Sequence, residues 1–216
     1  MQGFLEDLQS RFNLNTLNQS GELGKLARER FERLLRQLEL KAEMITTIQD
    51  WLDMDIEARF PAGAEDDFYL GLDPAYRTAN QNMLSPSELL LLKDLDKEIY
   101  EKLRSYVTTL PENTSININT ANVEVLMSLA DDLSKSEIES LLKKREDKAY
   151  NSVEDFLAEE MFAGKNISLE GLSVNSDYFL LQAQADIGHV QQILTSIFVR
   201  DNEGRIQTIL RSENEL

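Results

Sequence analysis

Strand-like signals lie only at the two ends of this chain of 216 residues, and everything between them carries a helical period or none. At the start, Phe4, Leu8, Phe12 and Leu14 fall at even steps, while Asn13, Asn15, Asn18 and Gly21 discourage helix. At the end, Tyr178–Ile187 and Val190–Arg200 flank Gly188-His189, and Arg205–Arg211 follows a turn at Asp201-Asn202-Glu203-Gly204. The alternation Ile206/Thr208/Leu210 fits an antiparallel meander. Strands at both ends with helices between them predict an α+β fold in which a large helical segment is inserted in a β layer.

The middle of the chain starts with an apolar face at helical spacing, Leu26, Leu34, Leu38, Ile45, Ile48 and Leu52, with a break near Leu40. Glu29 with Arg33 and Glu32 with Arg36 supply i,i+4 pairs on its outer side. Ser85, Pro86 and Glu88 form a capping-box start for a helix Pro86–Leu92, which turns at Lys93-Asp94-Leu95-Asp96 into a second helix through Val107. The same plan is expected again after Ile116-Asn117-Ile118-Asn119-Thr120. A helix runs to about Leu129, a turn follows at Asp131-Asp132, and a helix capped by Ser134 and Glu137 runs to about Arg145. Ser152 with Asp155 starts a third helix, Val153–Glu160. These repeats resemble tandem helix-hairpin-helix units.

Between the helices, residues 53–84 hold no period and are rich in Asp, Glu, Gly, Pro and Asn. A loop this long in a compact chain is functional or disordered, and Phe60, Phe68, Tyr69 and Tyr76 argue against disorder. Asp50-Trp51-Leu52-Asp53-Met54-Asp55 brings three carboxylates within six positions, and Gly63-Ala64-Glu65-Asp66-Asp67 brings three more. Calcium takes six to eight oxygen ligands, and crowded carboxylates beside apolar groups are costly unless a cation neutralises them. The spacing is not that of an EF-hand. With Asp53, Asp55 and Glu57 as the first three ligands, the obligatory glycine falls on Ala58 and the final glutamate on Ala64. Magnesium, which keeps its waters, is the poorer match.

Charge and composition remove other classes. The balance of 22 basic against 39 acidic residues, −17, repels phosphate backbones and anionic lipid. No cysteine is present, which excludes disulfides and thiolate chemistry, and the single His189 argues against a zinc site or a histidine triad. We expect His189 in a turn or strand. A nucleic-acid-binding helix-hairpin-helix module is the alternative reading. It is disfavoured because the hairpin Ala130-Asp131-Asp132-Leu133-Ser134 lacks the glycine and carries carboxylates where a phosphate would sit. No catalytic residues are expected.

The chain resembles the K-type minor pseudopilins of bacterial type II secretion (general secretion pathway protein K). The motifs that carry this run in order through nearly the whole sequence. They include Glu6–Asn15, Asp50-Trp51-Leu52-Asp53, Gly63–Leu70, Leu72-Asp73-Pro74, Ala79-Asn80-Gln81, Ile116–Ala121, Ser152–Leu157 and Tyr178-Phe179-Leu180-Leu181. The resemblance implies a pilin-like antiparallel sheet, formed by residues 1–20 and 175–216, with an inserted α-domain at 21–174. It implies a non-enzymatic subunit at the pseudopilus tip that partners I- and J-type minor pseudopilins above a major-pseudopilin filament. It implies a periplasmic location with an inner-membrane anchor, the leader and N-terminal pilin helix being expected outside this sequence. It also implies calcium in the acidic loop, held by Asp53, Asp55, Glu65 and Asp66, with Asp50, Asp67 and Asn80 in support.

Overall fold

The computed structural model describes residues 2–187, 190–201 and 203–213; the expected turn residues Gly188, His189 and Asn202 lie outside the described residues. One four-stranded antiparallel sheet joins the two ends of the chain, in the order β1-β6-β7-β8. Its strands are β1 (Gln2–Asp7), β6 (Tyr178–Ile187), β7 (Val190–Arg200) and β8 (Ile206–Ser212). The first strand pairs with β6 from Gln2 opposite Gln184 to Asp7 opposite Phe179. A bulge in β8 lies between the pairs Ile197–Leu210 and Phe198–Thr208. The expected meander is present, but the sheet is thinly covered. Phe4, Leu5, Ile206 and Ile209 are exposed.

The chain between β1 and β6 is helical, with two pairs of very short strands. Its elements are β2 (Phe12–Asn13), α1 (Gly21–Gln37), α2 (Met44–Leu52), α3 (Asp66–Tyr69) and α4 (Lys97–Leu103). Then come β3 (Val107–Thr108), β4 (Ile116–Asn117), α5 (Val123–Met127), α6 (Lys135–Asp147), α7 (Val153–Leu157) and β5 (Leu172–Ser173). No described helix is long and apolar enough to cross a membrane. The core-facing side of α1 is Ala27, Arg30, Phe31, Leu34 and Leu35, with Phe31 stacked on Phe12 at 4.9 Å. The outer pairs Glu29–Arg33 and Glu32–Arg36 form at 3.9 and 3.6 Å. The break near Leu40 comes from Glu39, whose φ of 57° ends the helical path.

Three boundaries differ from expectation. Pro86–Leu91 is a 3-10 helix, although its capping box forms as read. The following helix α4 stops at Leu103, and Val107 belongs to β3. The third helix α7 ends at Leu157, after which Glu160–Phe162 forms a separate 3-10 turn.

The internal repeat is real but runs in another register. Phe12-Asn13-Leu14-Asn15-Thr16 and Ile116-Asn117-Ile118-Asn119-Thr120 are its anchors. Each opens with a two-residue strand in a parallel pair, β2 with β3 and β4 with β5. Asn13 Oδ1 accepts from Asn15 N at 3.2 Å, and Asn117 Oδ1 from Asn119 N at 2.9 Å. The Asn15 amide clasps the backbone of Met83 through N–H and C=O, and Asn119 clasps Tyr150 in the same way. Two residues beyond each clasped residue stands a serine N-cap, Ser85 and Ser152. Residues 12–110 thus parallel 116–174, whereas the sequence alone suggested pairing 86–107 with 116–145. The helix–turn–helix likeness persists locally: Asp94 and Asp132 both take positive φ (60° and 59°) and precede the buried Leu95 and Leu133.

The sheet is fastened to the helical region at the end of β1. Asp7 Oδ2 accepts from Asn117 Nδ2, Thr120 Oγ1 and Ser176 Oγ at 3.1, 2.5 and 2.6 Å. Gln9 bridges Ser115 O and Asp177 N at 2.9 and 2.6 Å.

Candidate metal centre

The acidic loop fills the connection between α2 and Met83. Its floor is aromatic: Trp51 meets Tyr69 edge-on at 5.4 Å, and Tyr69 packs on Tyr76 at 5.3 Å. Trp51 Nε1 donates to Glu88 Oε2 at 3.1 Å, tying α2 to the capping box. Tyr69 is fully buried, and burial raises its phenol to about 12. Trp51 is buried, but Phe60 is 94% exposed and takes no part in that floor.

Three of the expected ligands converge. One carboxylate oxygen from each of Asp53, Asp55 and Glu65 lies within 4.8 Å of the others. Asp53 follows the last turn of α2, and Glu65 precedes α3 in extended conformation, so two helix ends aim these groups together. Asn80 joins from the far arm at a positive φ of 49°, its Nδ2 donating to Asp55 O at 3.3 Å. Asp50 lies behind the trio, wholly buried, with both oxygens accepting from Arg59. The arm that returns from Arg59 to Glu65 passes so close that a Cβ on Gly63 would collide with the Asp50 carboxylate and the Arg59 backbone. Asp66 stands apart from the trio, accepting from Thr78 N at 3.0 Å and pairing with Arg77 at 3.3 Å. Asp67 is exposed and outside the trio.

The cluster is short of positive charge and of donors. Eight buried side-chain polar atoms among the described residues lack a partner, and five belong here: Asp53 Oδ1, both Glu65 oxygens, Thr78 Oγ1 and Asn80 Oδ1. Buried polar atoms are otherwise almost always satisfied, so oxygens gathered without donors fit a hard cation. Glu65 reports the same deficit. Burial pushes its carboxyl up to about 7, opposed by the neighbouring Thr78 hydroxyl and aided by the charges of Asp50, Asp53 and Asp55. All the open atoms are oxygens, which suits calcium and excludes a thiolate or imidazole site. Glu57 lies outside the trio, in keeping with the rejected EF-hand spacing.

Arg59 is the residue that sequence reasoning missed. It sits nine positions after Asp50 in a stretch without period, and only the folded loop shows its guanidinium bridging Asp50 and Asp53.

The helix–turn–helix turn at 130–134 has no phosphate site. Asp131 accepts from Arg33 Nε at 3.0 Å and Arg36 Nη1 at 3.2 Å, which together hold its carboxyl below the usual range. Lys165 Nζ donates to Asp132 O at 3.1 Å. Asp131 docks this hairpin on α1.

Comparison with known proteins agrees with this architecture. The family described as type II secretion system (T2SS), protein K, matches residues 10–112 and 116–175. Type II secretion system protein K of Pseudomonas aeruginosa is 33% identical over 211 residues, covering 96% of this chain and 63% of the relative. That of Aeromonas hydrophila is 32% identical, covering 97% of this chain and 69% of the relative. The chain therefore spans about two thirds of the length of these relatives. A crystal structure of the GspK-GspI-GspJ complex from enterotoxigenic Escherichia coli matches with a TM-score of 0.88 at 27% identity, over 99% of this chain and 79% of that one. The two family matches meet between residues 112 and 116, at the boundary between the asparagine-anchored units. By sequence, fold and internal plan, the chain belongs to the type II secretion system protein K family.

Proposed function

We propose that the protein is a non-enzymatic minor pseudopilin, a structural subunit at the tip of the pseudopilus that binds I- and J-type partners and supports protein secretion across the outer membrane. The observation that carries this is the match over 99% of the chain to the K component of a GspK-GspI-GspJ complex. The β part, 1–20 with 175–216, would face the other subunits and the major pseudopilin below, with an inner-membrane anchor and a periplasmic location. Residues 12–17 of that part also serve the helical core, through Phe12, Leu14 and Leu17. The α part, 21–174, is too bulky to admit a further subunit above it, which suits a filament cap. Mixing the purified chain with I- and J-type partners should give one heteromeric species in size-exclusion chromatography. Three separate peaks, or open-ended homopolymers of this chain alone, would refute the assignment.

The acidic loop is read as a structural calcium site. Asp53, Asp55 and Glu65 would supply the carboxylates, with Asn80 and Thr78 the nearest further open oxygens. Asp50 serves as support through Arg59, Asp66 is engaged elsewhere, and Asp67 is left to solvent. Bound calcium would supply the positive charge that fixes the two arms of the loop. A thermal melt tests it: native-state binding adds about 2.7 kcal/mol at a hundredfold excess over Kd. Calcium should raise the midpoint clearly and magnesium little; no shift with either ion sinks the metal assignment.

A further inference from the structure

We infer that Arg59 is a tethered cation that holds Asp53 when calcium is absent and yields it when calcium binds, so that ion binding is an exchange rather than a simple addition. This rests on the calcium reading above.

The geometry distinguishes two contacts of one side chain. Asp50 is wholly buried, and Arg59 satisfies both its oxygens, with Nη1 on Oδ1 at 2.8 Å and the backbone N on Oδ2 at 3.0 Å. That contact is the tether, and Gly63 N donating to Arg59 O at 2.8 Å reinforces it. The same Nη1 also reaches Asp53 Oδ2. Asp53 is therefore shared. One oxygen faces the guanidinium, and the other, Oδ1, is buried and unpartnered, while the Asp53 carboxylate converges with Asp55 and Glu65. Glu65, only 5% exposed, turns two more open oxygens into the cluster.

The Arg59 side chain is 37% exposed, so its end has room to move off Asp53, while its backbone N stays on Asp50 Oδ2. A dication seated among Asp53, Asp55 and Glu65 repels a guanidinium held on Asp53. At the effective dielectric of a partly buried site, that repulsion is enough to weaken binding about tenfold or more. The consequence is twofold. At low calcium, Arg59 offsets part of the negative charge and keeps α2 bound to the returning arm. At high calcium, the ion takes Asp53 and locks Asp55 and Glu65 as well. Arg59 thus sets the calcium concentration at which the loop locks.

The test is calorimetric titration with calcium chloride, paired with the thermal midpoint in chelator, for wild type, Arg59→Gln and Arg59→Lys. Arg59→Gln should bind calcium about tenfold more tightly and melt several degrees lower in chelator. Lysine keeps the charge near Asp50 but is shorter and lacks the planar fork, so it holds Asp53 less firmly and Arg59→Lys should bind with intermediate affinity. Wild type that binds calcium while both variants bind equally or more weakly would overturn the exchange and leave the calcium reading standing. An unchanged midpoint of Arg59→Gln in chelator would overturn the tether. Calcium binding absent from all three proteins would overturn the calcium reading and the exchange with it.

Discussion

The two asparagine-anchored units share their backbone clasps and differ in what lies between them. In the second unit, α6 ends at Asp147 and reaches the clasped Tyr150 in two residues. In the first, α2 ends at Leu52 and the chain travels through residues 53–82 before reaching Met83. The acidic loop is thus an insertion in one copy of a shared frame. Its clasp is the same, so the frame needs nothing from the loop. The loop, in contrast, contains four of the residues with unpartnered buried oxygens, while the second unit contributes none. One copy is closed by its own hydrogen bonds; the other leaves buried oxygens unpartnered.

The strongest way to break this comparison is to remove the clasps. Asn15→Ala strands the Met83 N–H and carbonyl and removes one of two donors to Leu110 O, and should cost about 3–4 kcal/mol in urea unfolding. Asn119→Ala should cost about 2–3 kcal/mol, its site being part-buried. A negligible cost at Asn119 would break the equivalence of the two units.

Gly63→Ala probes the insertion alone. The added methyl meets the Asp50 carboxylate and the Arg59 backbone, so we expect a loss of about 2–3 kcal/mol and weaker calcium binding. Lys148→Ala, in the short connection of the second unit, should stay within about 0.5 kcal/mol of wild type, because Lys148 is exposed.

Glu65 gives the insertion a pH signature. Its folded carboxyl titrates at about 7, above the ordinary value of 4.5, so between these values the folded state holds a proton that the unfolded state has released. Stability in chelator should therefore fall as pH rises from about 4.5 to 7, by roughly 2 kcal/mol from this group. Glu65→Gln should flatten that slope, and saturating calcium should oppose it. A slope in chelator that is unchanged in Glu65→Gln would assign it to another group.

Smallest is the pair of capping boxes. Ser85→Ala and Ser134→Ala should each cost about 1 kcal/mol in thermal or urea unfolding, since each serine caps through the same reciprocal bonds. A large difference between them would show that the loop beside Ser85 contributes to its cap.

Local chemistry explains which features were legible in the sequence. Capping boxes at Ser85 and Ser134 depend on residues three apart, and the strands β6 and β7 on alternation within ten or so residues. The Asp53, Asp55 and Glu65 grouping was implied by the family resemblance, and the folded loop brings these carboxylates together. Asp66 was implied by the same resemblance, yet at the start of α3 it faces Thr78 and Arg77. Arg59 escaped because pairing across a loop has no period. The register of the repeat escaped because helix caps, the signals that stood out, recur in both hairpins. The asparagine clasps that define the repeat reach 68 residues from Asn15 to Met83 and 31 from Asn119 to Tyr150.

Hydrogen–deuterium exchange with and without calcium tests most directly whether the insertion, and not the frame, depends on the ion. Calcium should slow exchange in residues 53–80 and leave 116–174 unchanged. Equal protection of both units, or no change within 53–80, would contradict it.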